Sequence, residues 1–317
     1  MTTLITGAAG FIGAYAARRL AELNQHNIQL DNLNSYYSVA LKQARIKEFA
    51  LNPLVIDVAD SAALMACFDA HRPTRVIHLA AQAGVRHSIE APYDYLHSNL
   101  TGFLNILEAC RRFPVEHLVF ASTSSVYGVQ TETPFREQMS IQTPMSLYSA
   151  TKGANELMAH SYAHLYGIPC TALRFFTVYG AWGRPDMAPI LFSRAMLEAR
   201  TIDVFNGGDM LRDFTHVSDI VEGILGALRT PPPKERPFAV YNLGAGRPVE
   251  LNHFIDLIEK MVGKPAIRTL KPMQPGDMQA TFADTSAAKA AFGYEPKMPL
   301  EMGIAELVAW VKSYYKA

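Results

Sequence analysis

The chain has 317 residues, of which 49% are hydrophobic and 18% charged, with 29 basic and 29 acidic side chains and a formal net charge of zero. This composition predicts a folded protein of about two domains. It excludes a disordered chain, and it argues against a nucleic-acid-binding surface, which would show a basic excess. We expect no membrane span and no signal peptide, because no long apolar run and no basic leader is present. The three cysteines are widely spaced without a CxxC pair, so we expect no disulfide, no metal site and a cytoplasmic protein.

Short apolar runs alternate with helical patterns over the first part of the chain. Strands are predicted at 3–6, 28–31, 54–56, 75–79, 118–121 and 171–175, and helices near 11–23, 39–50, 60–71, 93–112 and 147–166. Alternation of this kind is typical of an α/β fold with a Rossmann-type, doubly wound parallel sheet that helices cover on both faces.

The pattern changes after about residue 178, where proline and glycine become frequent and the helices shorter. We therefore predict a first domain over 1–178 and a smaller α/β lobe over 179–317. A helix near 217–229 and a strand at 240–243 are expected to return to the first sheet, so that 214–244 belongs to the first domain.

Three glycines, Gly7, Gly10 and Gly13, follow the first strand and open the first helix. In a strand–helix turn this spacing lets a pyrophosphate approach the backbone N–H groups of the helix N-terminus. Asp31 ends the next strand, where a carboxylate can bind both ribose hydroxyls of NAD and repel the 2′-phosphate of NADP. An ordinary tight turn and a loop-capping aspartate are the alternatives. The combination favours a binding site for NAD.

A second group of polar residues indicates acid–base chemistry. Tyr148 and Lys152 are one helical turn apart, and a nearby ammonium lowers the pKa of a tyrosine toward working pH. The run of hydroxyls at 122–125 directly follows a strand, at the edge where open α/β sheets bind ligands. By themselves, the pair could lie on an exposed helix and the run could be a capping turn. Together with the glycine turn they favour an active site.

The motifs as a set resemble the extended short-chain dehydrogenases/reductases. They are TGAAGFIG (6–13), LDNLN (30–34), HLAAQAGVRHS (78–88), SNLTG (98–102), STSSVYG (122–128), YSATK (148–152), LRFFTVYG (173–180), RDFTHVSDI (212–220) and PGD (275–277). They are similar to those of the nucleotide-sugar epimerase/dehydratase branch, and most similar to those of bacterial UDP-glucuronate 4-epimerases.

This resemblance implies a role for each matching position. The catalytic residues would be Thr123, Tyr148 as the acid/base, and Lys152. NAD would be bound by Gly7, Gly10, Phe11, Ile12, Gly13, Asp31, Asn32, Asn34, Ser35, Asp57, Val58, Leu79, Ala80, Ala81, Asn99, Tyr148, Lys152 and Phe176. The sugar carboxylate would be bound by Thr177, Arg184, Ser124 and Ser125, with Arg86. The nucleotide would be bound by Arg212 at the phosphates and by Asn206 and Gln274.

The implied reaction is inversion at C4 of UDP-glucuronate through a transient 4-keto sugar, in an isomerase that uses NAD. The alternatives are a 4-epimerase of UDP-glucose or UDP-N-acetylglucosamine, and a UDP-glucuronate decarboxylase. A 4,6-dehydratase is disfavoured because Ser124 and Ser125 stand where it would need an acid–base carboxylate pair. A non-catalytic NAD(H)-binding scaffold is the alternative from another class. The resemblance also implies a homodimer, and Gly153 is expected to allow close approach of another helix.

Overall fold

The computed structural model describes residues 1–130, 132–273 and 278–316. The strands in this part of the chain are β1 Thr3–Thr6, β2 Asn27–Asp31, β3 Leu54–Val55, β4 Arg75–His78, β5 His117–Thr123, β6 Cys170–Phe175, β7 Thr177–Tyr179, β8 Thr201–Phe205, β9 Leu211–Arg212, β10 Phe214–His216, β11 Phe238–Leu243, β12 Val249–Glu250, β13 Ile267–Lys271 and β14 Ala280–Thr281.

The α-helices in the same ranges are α1 Phe11–Glu22, α2 Val39–Glu48, α3 Ser61–His71, α4 His87–Glu90, α5 Pro92–Tyr95, α6 Gly102–Arg112, α7 Leu147–Tyr166, α8 Ala188–Leu197, α9 Val217–Arg229, α10 Leu251–Val262, α11 Ser286–Phe292 and α12 Leu300–Tyr315. A π-helical turn over Leu96–Thr101 joins α5 to α6, and 3₁₀ turns cover Ser124–Tyr127 and Asn206–Gly208.

The central sheet has seven strands in the order β11-β6-β5-β4-β1-β2-β3, and every neighbouring pair is parallel. This confirms the predicted doubly wound α/β fold. The chain runs outward from β1 through β2 to β3 and then returns to β4 on the other side of β1. The topological switch point therefore lies between β1 and β4, where such sheets bind ligands at their carboxyl ends.

Two hydrophobic layers cover the sheet, since successive residues of each strand face opposite sides. Ile5 and Ile77 face a layer that includes α1 and α9. Their neighbours Leu4 and Val76 face a layer that includes α3, α6 and α7. Burial on both faces explains why the strands are nearly continuous apolar runs in the sequence.

A third hydrophobic cluster supports the remaining part of the chain. It gathers side chains of α8, α10 and α12 around β8 and β10, with Phe214 and Phe254 stacked at 3.8 Å between ring centroids. Small sheets join this region: β7 with β10, β8 with β13, and β12 with β9 and β14. Because α9 and β11 pack in the layers of the main sheet, they fit a first domain of 1–178 plus 214–244. That division stays a prediction.

The predicted helix over 93–112 is present as one continuous helical run, in which α5, the π-helical turn and α6 follow one another directly. The π-helical turn contains Asn99, whose side chain points inward and bonds to the main chain of Gln82. Such π turns insert one residue into a helix and are frequent at functional sites.

The three cysteines are buried and free.

No helix in 1–130, 132–273 or 278–316 is long and apolar enough to cross a membrane. The same ranges contain no cluster of three or more His, Cys, Asp or Glu side chains that could hold a metal ion.

Candidate active site

The glycine turn lies at the switch point of the sheet. Gly7 has a φ of +70°, which favours glycine, and a Cβ at this position would lie 2.7 Å from the backbone nitrogen of Ala80. A Cβ on Gly13 would overlap the carbonyl oxygen of Gly7. Helix α1 begins with no side-chain cap, so the N–H groups of Phe11, Ile12 and Gly13 remain available for an anion. The turn thus fits a dinucleotide pyrophosphate.

Asp31 is fixed beside this turn by two backbone donors. Its Oδ2 accepts a hydrogen bond from Ala9 N at 3.0 Å, and its Oδ1 accepts one from Leu33 N at 2.8 Å. The carboxylate is buried at the carboxyl end of β2, one strand away from Gly7. Its position and charge suit the ribose hydroxyls of NAD.

The segments after β2 and β3 meet beyond Asp31. Asn32 Nδ2 donates to Asp57 Oδ2 at 3.0 Å, and Lys42 Nζ donates to Asn34 Oδ1 at 2.9 Å. Burial would raise the pKa of Asp57, but hydrogen bonds from Ala59 N–H, Asn32 and His97 lower it below the ordinary value. The other predicted residues here are placed as follows: Ser35 is exposed, Val58 is buried, Leu79, Ala80 and Ala81 are half-buried after β4, and Phe176 is buried next to Phe135.

Asn99 is buried under the segment that follows β4. Its Oδ1 accepts from Gln82 N at 2.8 Å, and its Nδ2 donates to Gln82 O and to Thr151 Oγ1, each at 3.0 Å. The amide therefore fastens the segment at 79–82 to α7. This bonding holds the segment after β4 in place, which the motif alone did not indicate.

Thr123 and Tyr148 meet at the carboxyl end of β5. Ser146 and Ser149 form a capping box that starts α7, so that Tyr148 lies in its first turn. The Thr123 hydroxyl accepts a hydrogen bond from Ser125 N at 3.2 Å, and it also hydrogen-bonds the Tyr148 hydroxyl. Lys152 follows one turn later and is buried. The three predicted catalytic residues are thus on adjoining elements.

The charges around Tyr148 differ from the expectation. Burial raises the pKa of Tyr148 above its ordinary value, and the Arg184 guanidinium and the Thr123 hydroxyl oppose this rise. Burial lowers the pKa of Lys152 to about 8, and the Glu156 carboxylate opposes that fall. The positive charge that lowers the Tyr148 pKa here is that of Arg184, and burial outweighs it; the predicted effect of Lys152 on Tyr148 stays a prediction.

A buried ion pair behind Lys152 was missed by the sequence reasoning. Arg174 Nη2 lies 2.7 Å from Glu156 Oε2, and Arg174 Nε donates to Glu156 Oε1 at 3.0 Å. Ser122 Oγ also donates to Glu156 Oε1, at 2.5 Å. Two features of the sequence could have indicated this ion pair. Glu156 stands four residues after Lys152, and Arg174 interrupts the apolar run of β6.

The residues predicted to bind the sugar and nucleotide fall into two groups. Ser124 and Ser125 form the 3₁₀ turn after Thr123, Thr177 begins β7, and Arg184 acts electrostatically on Tyr148. The second group lies around Phe205, whose ring is 5.4 Å from the Arg86 guanidinium. Asn206 follows Phe205 and donates to Asp209 O at 2.8 Å.

Arg212 lies on β9, near this second group. Its Nη1 donates to Leu211 O at 3.0 Å and to Gln279 O at 3.2 Å. Gln274 and the PGD motif at 275–277 lie outside the described residues.

Comparison with known proteins agrees with this geometry. The family described as "NAD dependent epimerase/dehydratase family" matches residues 3–244. A probable UDP-glucuronate 4-epimerase of Rhizobium meliloti (strain 1021) is 43% identical, over 100% of this chain and 98% of its own length. UDP-glucuronate 4-epimerase 2 of Arabidopsis thaliana is 42% identical, over 100% of this chain and 77% of its own length.

Among solved structures, the UDP-glucuronic acid 4-epimerase of Bacillus cereus, in complex with UDP-glucuronic acid and NAD, superposes with a TM-score of 0.92. It is 31% identical, and the match covers 99% of this chain and 100% of that one. The chain therefore belongs to the NAD-dependent epimerase/dehydratase family.

Proposed function

We propose that this protein is an NAD-dependent isomerase that interconverts UDP-glucuronate and UDP-galacturonate by inversion at C4. The observation that carries the proposal is that Tyr148 hydrogen-bonds Thr123 and that the Arg184 guanidinium stabilises its charged form. An acid/base, a hydroxyl that bonds to it and a cation suited to a carboxylate are thereby collected in one place. The named relatives and the Bacillus cereus complex support this choice of substrate.

NAD, when bound, would supply the hydride chemistry at C4 of the sugar. The turn at 7–13 and the Asp31 carboxylate would hold the dinucleotide. Tyr148 Oη takes the proton of the sugar's C4 hydroxyl and later gives it back. Thr123 orients the Tyr148 hydroxyl through their hydrogen bond. Lys152 contributes a buried positive charge one turn along α7.

Arg184 favours an acidic sugar over a neutral one. Burying the charge of Arg184 beside Tyr148 would be costly without an anionic partner. Its ion pair with Asp186 offsets this cost. A 4-keto glucuronate is a β-keto acid. It loses CO₂ when the C5–C6 bond, which carries the carboxylate, stands roughly perpendicular to the plane of the C4 carbonyl. We propose that Arg184, Thr177, Ser124 and Ser125 restrain the carboxylate and so prevent decarboxylation.

We further propose a homodimer in the cytoplasm. Four apolar side chains are exposed on α6 and α7, namely Leu104, Leu157, Leu165 and Tyr166. The two helices are joined by Tyr162, which donates to Glu108 at 2.7 Å, so they form one continuous face. The expected role of Gly153 is not part of this proposal, because Gly153 is buried within its own chain, with Ile141 nearest to it.

The test is incubation of the purified protein with UDP-glucuronate and no added NAD, followed by NMR of the products. Formation of UDP-galacturonate is expected, since a cofactor that ends each turnover as it began can stay bound. UDP-xylose would instead identify a decarboxylase. An unchanged sugar, with UDP-glucose converted under the same conditions, would identify a neutral-sugar epimerase and refute the proposal.

A further inference from the structure

Tyr36 links the cofactor-binding part of the molecule to the sugar-binding loop. It lies between β2 and α2, two residues after Asn34, on the segment expected to bind the adenosine ribose. Its hydroxyl donates to Asp186 Oδ2 at 3.0 Å and accepts from Arg184 Nη2 at 3.4 Å. Both partners belong to the loop between β7 and α8, about 150 residues further along the chain.

The contacts of Arg184 fix one side of its guanidinium. Asp186 Oδ1 accepts from Nε at 3.1 Å and Asp186 Oδ2 accepts from Nη2 at 2.5 Å, while the guanidinium lies 5.6 Å from the centre of the Tyr36 ring. These bonds engage Nε and Nη2, and none of them engages Nη1. Arg184 is thus held in place with Nη1 left for a further anion.

Tyr36 itself is held firmly against the segment that follows β4. Gly84 has a φ of +106°, and a Cβ there would lie 2.5 Å from the Tyr36 hydroxyl oxygen, so only glycine leaves room for this ring. On the same segment the His87 ring lies 4.7 Å from the Tyr36 ring. Three segments, those following β2, β4 and β7, therefore meet at this one side chain.

We propose that Tyr36 is a positioning residue for acidic-sugar specificity, because its hydroxyl holds the Asp186–Arg184 pair in the orientation that receives the sugar carboxylate. This inference rests on the proposed function. An arginine fixed beforehand loses less conformational freedom when an anion binds, and the direction in which its remaining N–H groups point decides whether they reach that anion. A neutral sugar does not use this gain, so Tyr36 affects the choice between sugars more than the binding of UDP.

The test removes only the hydroxyl, which leaves the charge of the site unchanged. Tyr36→Phe is introduced into the NAD-loaded Tyr148→Phe protein, which binds sugars without turnover. The dissociation constants of UDP-glucuronate and UDP-glucose are then measured by calorimetry. We expect UDP-glucuronate to bind about five-fold more weakly and UDP-glucose to change by less than about two-fold, an effect of the size of one ordinary hydrogen bond, because Tyr36 acts on the sugar only through Arg184. Equal weakening of both sugars, or no change in either, would overturn the inference.

Tyr37→Phe is the matched control. Tyr37 is the next residue, and its hydroxyl also accepts from an arginine, Arg45 Nη1, at 3.0 Å. The ratio of the two dissociation constants is expected to stay that of the parent, and a shift equal to that of Tyr36→Phe would contradict a specific role for Tyr36. A parent that does not prefer UDP-glucuronate refutes the proposed function and this inference with it. A parent that prefers it, with a ratio that Tyr36→Phe leaves unaltered, refutes this inference alone.

Discussion

Opposing influences act on the single hydroxyl of Tyr148. Burial raises its pKa and favours the neutral phenol, whereas Arg184 and Thr123 favour the phenolate. A proton shuttle needs both forms within reach, and the neighbouring donors reduce the cost of the charged one. The chemistry of the site therefore depends on the Tyr148 oxygen more than on any other atom of the chain.

Tyr148→Phe should lower kcat for UDP-glucuronate by about 10³-fold, since a positioned acid/base contributes roughly 10²–10⁴-fold. The affinity for the sugar nucleotide should stay close to that of the parent, because the ring and the phosphate contacts remain. Steady-state kinetics and calorimetry measure the two quantities. Tyr162→Phe, on the same helix but bonded to Glu108 at the surface, is the control and should keep full activity. Retained turnover in Tyr148→Phe would remove Tyr148 from the mechanism.

The first half of helix α7 carries three ionisable side chains at intervals of four residues: Tyr148, Lys152 and Glu156. Glu156 anchors the helix to β5 through Ser122 and to β6 through Arg174. It is also the group that raises the Lys152 pKa against the effect of burial. One carboxylate thus fixes the helix and keeps its lysine charged.

Glu156→Gln should move the alkaline decline of kcat to lower pH. Lys152 has a pKa of about 8, which burial lowers and Glu156 raises. The other groups facing Lys152 are Tyr148 on α7 and His78 on β4, and burial lowers the His78 pKa to about 3, so it stays neutral. Removing the carboxylate while Arg174 stays charged lowers the Lys152 pKa further. Lys152 then loses its proton at lower pH, as a pH–kcat profile would record.

The same substitution should reduce stability by about 3–5 kcal/mol, because it leaves the buried Arg174 without its carboxylate. Thermal unfolding measures this loss. Glu108→Gln is the matched control: Glu108 also pairs with an arginine, Arg111, but at the surface of α6. It should alter neither the profile nor the melting temperature appreciably. An unshifted alkaline limb in a folded Glu156→Gln enzyme would show that Lys152 does not depend on Glu156.

At the scale of the whole molecule, the sequence predicts those contacts whose residues lie close together along the chain. The glycine turn and Asp31 lie within one strand–helix–strand unit, and Tyr148 and Lys152 lie one turn apart on one helix, so local spacing predicts that each pair is close in space. The Arg174–Glu156 pair and the Tyr36–Asp186 bond join distant segments. No local pattern specifies which strand a buried carboxylate will face. The π-helical turn before α6 was missed for the same reason, because its Asn99 side chain bonds to the main chain of Gln82, 17 residues away.

The proposed dimer is tested on its exposed face. Leu157→Glu on α7 should convert the protein to a monomer, because a charge would be buried where apolar side chains of two protomers pack. Leu191→Glu, an exposed leucine on α8, should leave the mass unchanged. Light scattering with size-exclusion chromatography measures both. A parent that is already monomeric, or a dimer that tolerates Leu157→Glu, would contradict an interface at this position.

In the proposed mechanism C4 gives up its hydrogen and receives the same one back within one site. The decisive measurement is the conversion of UDP-glucuronate that carries deuterium at C4, with the product followed by NMR and mass spectrometry. We expect UDP-galacturonate that keeps the deuterium at C4. A product in which solvent hydrogen has replaced the deuterium would rule this mechanism out.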